Sequence, residues 1–579
     1  MSSSPTRVVD YVVKWLAASG IDHVFGVGGA NIEDLYDAAH SCHGITAVLA
    51  KHEYSAATMA DGYSRAGPKL GVVVATSGGA SLNLVPGLGE SLASRVPVLA
   101  LVGQPPSLQD GRGSFQDTSG LNGALDAQAI FSAVSLYCRR VLDPADIVTA
   151  LPAAVAAALS GGPAVLLLPK DVQQAVLGLD PAPTRTEHAV LAKNQADPRE
   201  ILRTIRLTGE AVTIIAGEQI ARDDARAEFE MLRSALGARV ATVPDAKELH
   251  GSLGVTGVMG HPGVAEAIVD GGVCLLVGTR LPTTASAGLE QALAATRTVS
   301  IGSATPYVPC AHFHVDDLRT TIALLTRELT GPGTATPWTR PPAELLPPPF
   351  QGAGIRYRDA MSMLDVALPD DVDIVVDAGN TGAAAIHHLP ARPAGRFVVA
   401  LGMGGMGYSF GAGIGMAFAR PHRRTVVIAG DGSFYMHGME LHTAVQYQLP
   451  ITFVLFNNNA HAMCVTREQV FYGDRYSYNR FAPSRLGAGL SAMFPGLRSV
   501  DVEQLAELPG VFEEAFNVEG PSVVCVECSA DEIPPFTPFL TARATQTDSA
   551  ATALGHPTAG VTAQPLSKEE DGFNVFARA

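Results

Sequence analysis

Charge is scarce in this chain. Only 17% of its residues are Asp, Glu, Lys or Arg, while 47% are apolar. That balance excludes wholesale disorder and calls for large buried cores. Lysine is scarcer still: seven of the 40 basic residues, the other 33 being Arg, a choice that says little about function. Acidic residues outnumber basic ones, 56 to 40, for a formal net charge of -16. A nucleic-acid binder would normally show a basic face, so no nucleic acid is expected as a partner. The seven cysteines are odd in number and scattered, which argues against a disulfide framework. Cys525 and Cys528 form a CxxC, but inside the strand-like run Ser522–Cys528. Residues three apart on a strand face opposite sides, so no zinc site is expected there. The polar stretch Met1–Arg7 lacks the basic start and apolar run of a signal peptide. Phe397–Ala419 has 23 residues without a charge, long enough for a membrane span, but it holds seven glycines. A tight turn entering a buried helix is the better reading, and the expectation is a cytoplasmic protein with no membrane partner.

What is abundant is glycine, 59 residues, with many clustered at strand ends, where backbone must approach a ligand. Short apolar runs alternate with helix-like stretches. Strands are expected at His23–Val27, Gly71–Ala75, Val96–Val102 and Ala164–Leu168, with helices at Arg7–Ala18 and Tyr54–Arg65. A second unit carries Ala211–Ala216 and Val273–Val277, and a third carries Ile374–Val376, Thr425–Ala429 and Ile451–Phe456. This rhythm predicts an α/β protein of three doubly wound parallel-sheet domains. The expected limits are 1–185, 195–330 and 355–535, with linkers at Asp180–Arg199 and Gly331–Gly354 and a tail or flap over 540–579.

The outer units look like copies. Asp22-His23-Val24-Phe25, reaching Gly28, parallels Asp373-Ile374-Val375-Val376, reaching Gly379, at an offset of 351. Ala75-Thr76-Ser77-Gly78 parallels Ala429-Gly430-Asp431-Gly432 at 354, and Val96-Pro97-Val98-Leu99 parallels Leu449-Pro450-Ile451-Thr452 at 353. Three matches in order point to a duplicated domain around an unlike middle one.

The most specific signal is Gly430-Asp431-Gly432-Ser433 closing one apolar strand, with Asn457-Asn458-Asn459 closing the next. Mg²⁺ takes hard oxygen ligands, few of them from protein and the rest from phosphates and water. A carboxylate, an amide oxygen and a backbone carbonyl on neighbouring strand ends supply half of such a shell. The glycines let backbone N–H groups reach phosphate oxygens.

That pair resembles the thiamine-diphosphate motif of the pyruvate decarboxylase/acetohydroxyacid synthase superfamily, and the likeness runs to about residue 535. It implies that Asp431 and Asn458 ligate Mg²⁺ through side chains and Ala460 through its carbonyl. Gly430, Gly432 and Ser433 would meet the diphosphate, as would Gly379, Asn380 and Thr381 from the other side, although the family often has Gln-His at the last two positions. His461 and Met463 follow the metal loop at the cofactor. His52-Glu53-Tyr54 and the helix it opens resemble the family's activating-glutamate helix, so Glu53 would hydrogen-bond N1′ of the cofactor's pyrimidine and help its 4′-nitrogen take the C2 proton. Met406, in Gly404-Gly405-Met406-Gly407, resembles the wedge that bends the cofactor, with the Gly404 carbonyl accepting from the 4′-amino group. Thr76 to Asn83 resembles the family's turn near the pyrimidine, with Gly79 in place of a proline. The resemblance further implies a homodimer or homotetramer with sites at the subunit interface. The central domain is similar to a Rossmann-like one that holds FAD or a nucleotide in some members. It has no complete GxGxxG, so FAD is left open rather than expected.

The reaction follows from the loops. The family's pyruvate-type decarboxylases carry tandem histidines in the loop that here spans Gly103–Leu121, which has no His. Ser114-Phe115-Gln116-Asp117 resembles the Phe-Gln-Glu element of acetohydroxyacid synthases, as does the entry through Gly28 and Gly29. The expectation is therefore a carboligase. It would decarboxylate a 2-keto acid such as pyruvate and pass the activated acyl unit to a small carbonyl acceptor. Arg467 stands where those synthases have a Trp, and His437 where a Thr is common, so the acceptor pocket is expected to be polar or to favour an anion. The alternatives are a 2-keto acid decarboxylase or aldehyde lyase on the same scaffold and, more distantly, a non-catalytic nucleotide-binding regulator.

Overall fold

The computed structural model describes residues 6–178, 196–206, 211–249, 251–329, 341–392 and 394–543. Most of the first expected linker, part of the second and nearly all of the tail lie outside these residues. Three parallel sheets carry the fold, each flanked by helices. The first contains β1 (His23–Gly26), β2 (Thr46–Leu49), β3 (Gly71–Ala75), β4 (Val98–Gln104), β5 (Tyr137–Arg140) and β6 (Pro163–Pro169), in the order β2-β1-β3-β4-β6-β5. The middle sheet contains β7 (Val212–Ala216), β8 (Arg239–Thr242), β9 (Val273–Val277), β10 (Arg297–Gly302) and β11 (Ala311–His314), ordered β11-β10-β9-β7-β8. The third contains β12 (Asp373–Val376), β13 (Phe397–Val399), β14 (Thr425–Gly430), β15 (Ile451–Asn457), β16 (Arg498–Val502) and β17 (Ser522–Glu527), ordered β13-β12-β14-β15-β17-β16. Central strands such as β3, β4 and β15 are buried along their whole length. Parallel strands covered on both faces read as continuous apolar runs, and that is why their sequences announce them.

The first and third sheets share one strand order, so they are copies in topology. Their register refines the sequence match. Phe25 pairs with Val73 and Val48, as Val375 pairs with Val427 and Val398. Those partners set the offset of β1 to β12 at 350, one less than the glycine-anchored match, while 354 for β3 and 353 for β4 hold. The strands align, and the loop to Gly379 has a different length from the loop to Gly28.

Two helices join the outer domains. Glu53–Arg65 crosses Tyr408–Ala419 so closely that a Cβ on Gly62 would sit 2.1 Å from the Ala412 carbonyl oxygen, and one on Gly415 2.0 Å from that of Met59. Asp61, fully buried, accepts from Arg65 Nε (2.6 Å), Tyr408 Oη (2.5 Å) and Ser91 Oγ (2.7 Å). The charge-free run that passed the length test for a membrane is β13, a glycine loop and this buried helix. No helix among the described residues is long and apolar enough to cross a membrane.

Candidate active site

In a parallel sheet, ligands bind outside the carboxyl ends of strands, where the strand order switches direction. In the third sheet that point lies between β12 and β14, and the sequence motifs converge on it. Gly379, at φ +93, turns the chain from β12 into the helix Asn380–His388. Gly430 ends β14, and Asp431 opens the helix Asp431–His437. Asp431 is fully buried; its Oδ2 accepts from the Ala460 N–H at 3.2 Å, and its Oδ1 has no partner. Burial pushes its carboxyl up to about 7, against the pull of backbone N–H groups from Gly432, Ala460, Asn459 and Asn458. Asn458 donates through Nδ2 to Tyr357 Oη at 3.2 Å, which leaves its Oδ1 buried and unpartnered. Asn380 donates to Thr466 Oγ1 at 3.2 Å, and its Oδ1 is likewise an orphan. Buried acceptors without donors are costly. Several gathered at one strand edge, one on a carboxylate, fit a hard cation and its phosphate. Mg²⁺ therefore fits the residues present: Asp431, Asn458 and the Ala460 carbonyl.

Around this point, Met406 and His461 both lie on Gly432. A Cβ there would meet His461 Nδ1 at 2.5 Å and the Met406 methyl at 3.3 Å. His461 Nδ1 is buried without a partner, and its ring stands edge-on to Phe481. Gly404, at φ +66, is exposed. Ser433 donates to Asp377 Oδ1 at 2.5 Å, and Asp377 also accepts from Gly407 N (3.0 Å) and Ser409 N (2.9 Å). Met463 and Arg467 sit half-buried on the helix Ala462–Tyr472. Among the described residues, Arg467 makes no ion pair, with Glu468, Asp474 or any other carboxylate.

A second set occupies the switch point of the first sheet, between β1 and β3. Gly28 is exposed, Gly29 packs on Thr76, and Thr76 Oγ1 accepts from Asn31 N at 3.2 Å. Asn83 donates to Glu53 Oε2 at 2.9 Å. Gln116 takes a left-handed φ of +62 and lies on Gly78, while Phe115 is 77% exposed. Among the described residues no hydrogen bond joins Glu53 to the set around Asp431. Its sequence neighbours face that domain instead: His437 packs against Tyr54 at 4.4 Å and His52 at 5.1 Å, and Tyr54 Oη lies against Gly405. Burial, then the nearby His52, lowers His437 to about 4.

Two matches decide the family. The C-terminal TPP binding domain of thiamine pyrophosphate enzymes matches residues 377–526, and the N-terminal TPP binding domain of the same enzymes matches 6–125. The chain belongs to the thiamine-diphosphate-dependent enzymes. Within them, it is 28% identical to an acetolactate synthase of Arthrospira platensis over 90% of this chain and 94% of that one. It is 27% identical to a probable acetolactate synthase large subunit of Methanocaldococcus jannaschii over 80% and 82%. It is 26% identical to the acetolactate synthase isozyme 2 large subunit of Escherichia coli over 92% and 96%.

The middle domain does not offer these enzymes' diphosphate chemistry a second home. Its switch point, between β7 and β9, is filled by buried Gln219, which donates to Asp223 Oδ2 (3.0 Å) and Val315 O (3.3 Å) and accepts from Ser303 N (2.8 Å). A dinucleotide needs glycine turns and free N–H groups there. Gly217 and Gly278 do close these strands, but the Gln219 side chain packs on Gly278 and Gly302, so no open cradle for a dinucleotide is seen at this point.

Sequence reasoning missed the supports. Tyr357 orients Asn458. Asp377 ties the Met406 loop to Ser433. Glu90 accepts from Gly402 N (3.2 Å) and Met403 N (2.6 Å), anchoring the same loop from the first domain. Asp377, two residues before a strand-end glycine, carried a usable signal; Tyr357 and Glu90 carried none. Cys525 and Cys528 are free thiols, and no group of three or more His, Cys, Asp or Glu able to hold a metal occurs among the described residues.

Proposed function

We propose that the chain is an acetolactate synthase-like carboligase that decarboxylates a 2-keto acid such as pyruvate and joins the acyl unit to a carbonyl acceptor. The observation that carries this reading is the set of orphaned buried acceptors, Asp431 Oδ1, Asn458 Oδ1 and Asn380 Oδ1, at a glycine-lined strand edge. Thiamine diphosphate, when bound, supplies a carbon that adds to the keto acid and holds the electron pair left as CO₂ departs. Asp431, Asn458 and the Ala460 carbonyl hold Mg²⁺. Gly430, Gly432, Ser433, Gly379, Asn380 and Thr381 receive the diphosphate. Met406 would support the cofactor from below, the Gly404 carbonyl would accept from its 4′-amino group, and Glu53 would hold a proton at its pyrimidine N1′. Thr76, Asn83, His461 and Met463 complete its walls. Gly28, Gly29, Phe115, Gln116, His437 and Arg467 meet donor and acceptor. The domains at 1–185, 195–330 and 355–535 divide this work as pyrimidine side, spacer and diphosphate side.

The unit of activity in this reading is a homodimer in which Glu53 of one chain serves Asp431 of the other. Exposed apolar side chains at both edges support it, Phe115, Leu121, Met403 and Tyr435 among them. Mixing Glu53→Gln with Asp431→Asn chains should restore activity that neither has alone; no restoration refutes the shared site. The reaction is tested by giving the protein thiamine diphosphate, Mg²⁺ and pyruvate, with and without added keto acids or aldehydes, and identifying products by mass. A joined product is expected. Aldehyde and CO₂ alone would make it a decarboxylase, and no CO₂ from any 2-keto acid would sink the reading.

A further inference from the structure

The loop that follows β4 carries Gln116, and its backbone is firmly held. Asp117 accepts from Gly111 N (2.9 Å) and Ser119 N (3.0 Å), and Thr118 donates to the buried Gln104 Oε1 at 3.0 Å. Arg140 grips Asp110 through two N–H groups, each at 2.8 Å. This framework keeps Gln116 in its left-handed conformation, φ +62. Such a conformation is strained for a residue with a side chain and persists where the surroundings enforce it. The side chain lies across Gly78, where a Cβ would sit 2.8 Å from the Gln116 Cγ.

The end of that side chain is an amide, with an acceptor oxygen on one side and a donor NH₂ on the other. Either could face a substrate, and the two recognise opposite chemistry. Ser77, fully buried, selects between them. Its hydroxyl accepts from Asn31 Nδ2 at 2.7 Å and donates to Gln116 Oε1 at 3.3 Å. A hydroxyl has a single proton to give. With Asn31 donating to it, that proton goes to Gln116. Gln116 therefore turns its oxygen to Ser77, and its NH₂, with no partner among the described residues, is left for a ligand.

Asn31 serves as the fixed end of this relay because its backbone is clamped. Its N–H donates to Thr76 Oγ1 at 3.2 Å, and its carbonyl accepts from Gln173 Nε2 at 2.7 Å. Gln173 is itself fully buried and donates also to the Leu168 carbonyl at 2.7 Å. The Asn31 carbonyl presses on Gly103, where a Cβ would lie 2.0 Å from its oxygen. The relay is thus anchored on the carboxyl ends of β1, β3, β4 and β6 together.

We propose that Ser77 and Asn31 are positioning residues, which fix the Gln116 amide so that its NH₂ meets the carboxylate of the 2-keto acid. The proposal rests on the reading above that Gln116 meets the substrate. A 2-keto acid offers only oxygen acceptors at its carboxylate, so an amide turned the other way would oppose it.

Calorimetric titration of the full chain, loaded with thiamine diphosphate and Mg²⁺, tests this with oxamate as the probe. Oxamate keeps the shape and carboxylate of pyruvate, and its amide carbonyl is a poor electrophile, so binding is read without turnover. Gln116→Ala and Gln116→Glu should each weaken oxamate about tenfold, the loss of one hydrogen bond to a charged group. Ser77→Ala should weaken it about fivefold, because a freed side chain must then be immobilised on binding. In the Gln116→Ala background, Ser77→Ala should cost nothing further, a pattern that a general disturbance of the fold would not reproduce. Asn31→Ala should weaken oxamate in the same Gln116-dependent way, and it replaces Ser77→Ala should that variant fail to fold. If Gln116→Ala weakens oxamate while Ser77→Ala or Gln116→Glu binds it as the parent does, the proposal is overturned and Gln116 keeps its place at the substrate. The same holds if Ser77→Ala costs as much without Gln116 as with it. A Gln116→Ala variant that binds like the parent, or a parent that binds no oxamate, overturns the reading of Gln116 and the proposal with it.

Discussion

Replacing Tyr357 by Phe isolates the orientation of Asn458, a metal ligand in the function proposed above. The ring is fully buried and packs 5.7 Å from Phe456, so Phe keeps the packing and loses only the hydroxyl. That hydroxyl accepts from Asn458 Nδ2 at 3.2 Å. The hydroxyl fixes where the amide sits; without it the side chain loses the one side-chain bond, among the described residues, that restrains its rotation. The loss of one buried hydrogen bond, about 1–1.5 kcal/mol, corresponds to roughly tenfold in affinity, at the low end of what loss of an outer partner of a metal ligand costs. The assay is Mg²⁺ titration of the cofactor-saturated protein, followed by circular dichroism and by initial rate. The apparent Mg²⁺ constant should rise about tenfold, with kcat at saturating Mg²⁺ nearly unchanged. A constant within twofold of the parent, in a variant that melts at the same temperature, would show that Tyr357 does not orient Asn458.

Arg467→Ala should depress formation of the joined product more than bare decarboxylation of the donor; equal loss in both removes Arg467 from the acceptor side. Gly62→Ala inserts a methyl against the Ala412 carbonyl and should cost about 1–3 kcal/mol, seen as a lower melting temperature. An unchanged one would mean that the helix crossing can open freely. Lys247 is buried with its ammonium on the Ala385 and Ile386 carbonyls, and burial lowers it to about 7. Its folded pKa lies below the ordinary 10.5, so the unfolded chain holds more protons between those values. Stability should therefore rise across that window, by up to about 1.4 kcal/mol per pH unit from this group. Lys247→Met should flatten the rise in thermal midpoints between pH 7.5 and 9.5, and an identical pH profile would refute the buried charge.

The strands were legible because burial on both faces writes itself as continuous Val, Ile and Leu, as in Val72–Val74 and Val426–Ile428. The Gly-Asp-Gly and Asn-Asn turns were legible because the metal and phosphate proposed for them would demand particular atoms at particular strand ends. Edge strands such as β5 and β16, half-exposed and mixed in composition, had no such signature. Tyr357, Glu90 and Lys247 were silent because their roles arise only when segments far apart in the chain meet. Nothing in the sequence said that His437 would also touch the first domain. Its place in the sequence pointed to the acceptor pocket, and its ring packs where the first and third domains touch.

Two sheets of one strand order in a single chain create a hazard during synthesis, since a strand of one can take the corresponding place in the other. The middle domain separates them in time. The first sheet is complete at Pro169, and the third does not begin until Asp373. At about 5–20 residues per second, the ribosome leaves the first sheet roughly 10–40 s to close before a rival strand emerges. The middle domain's length is thus also a delay, and shortening it would be felt first as misassembly of new chains rather than as lost stability of finished ones.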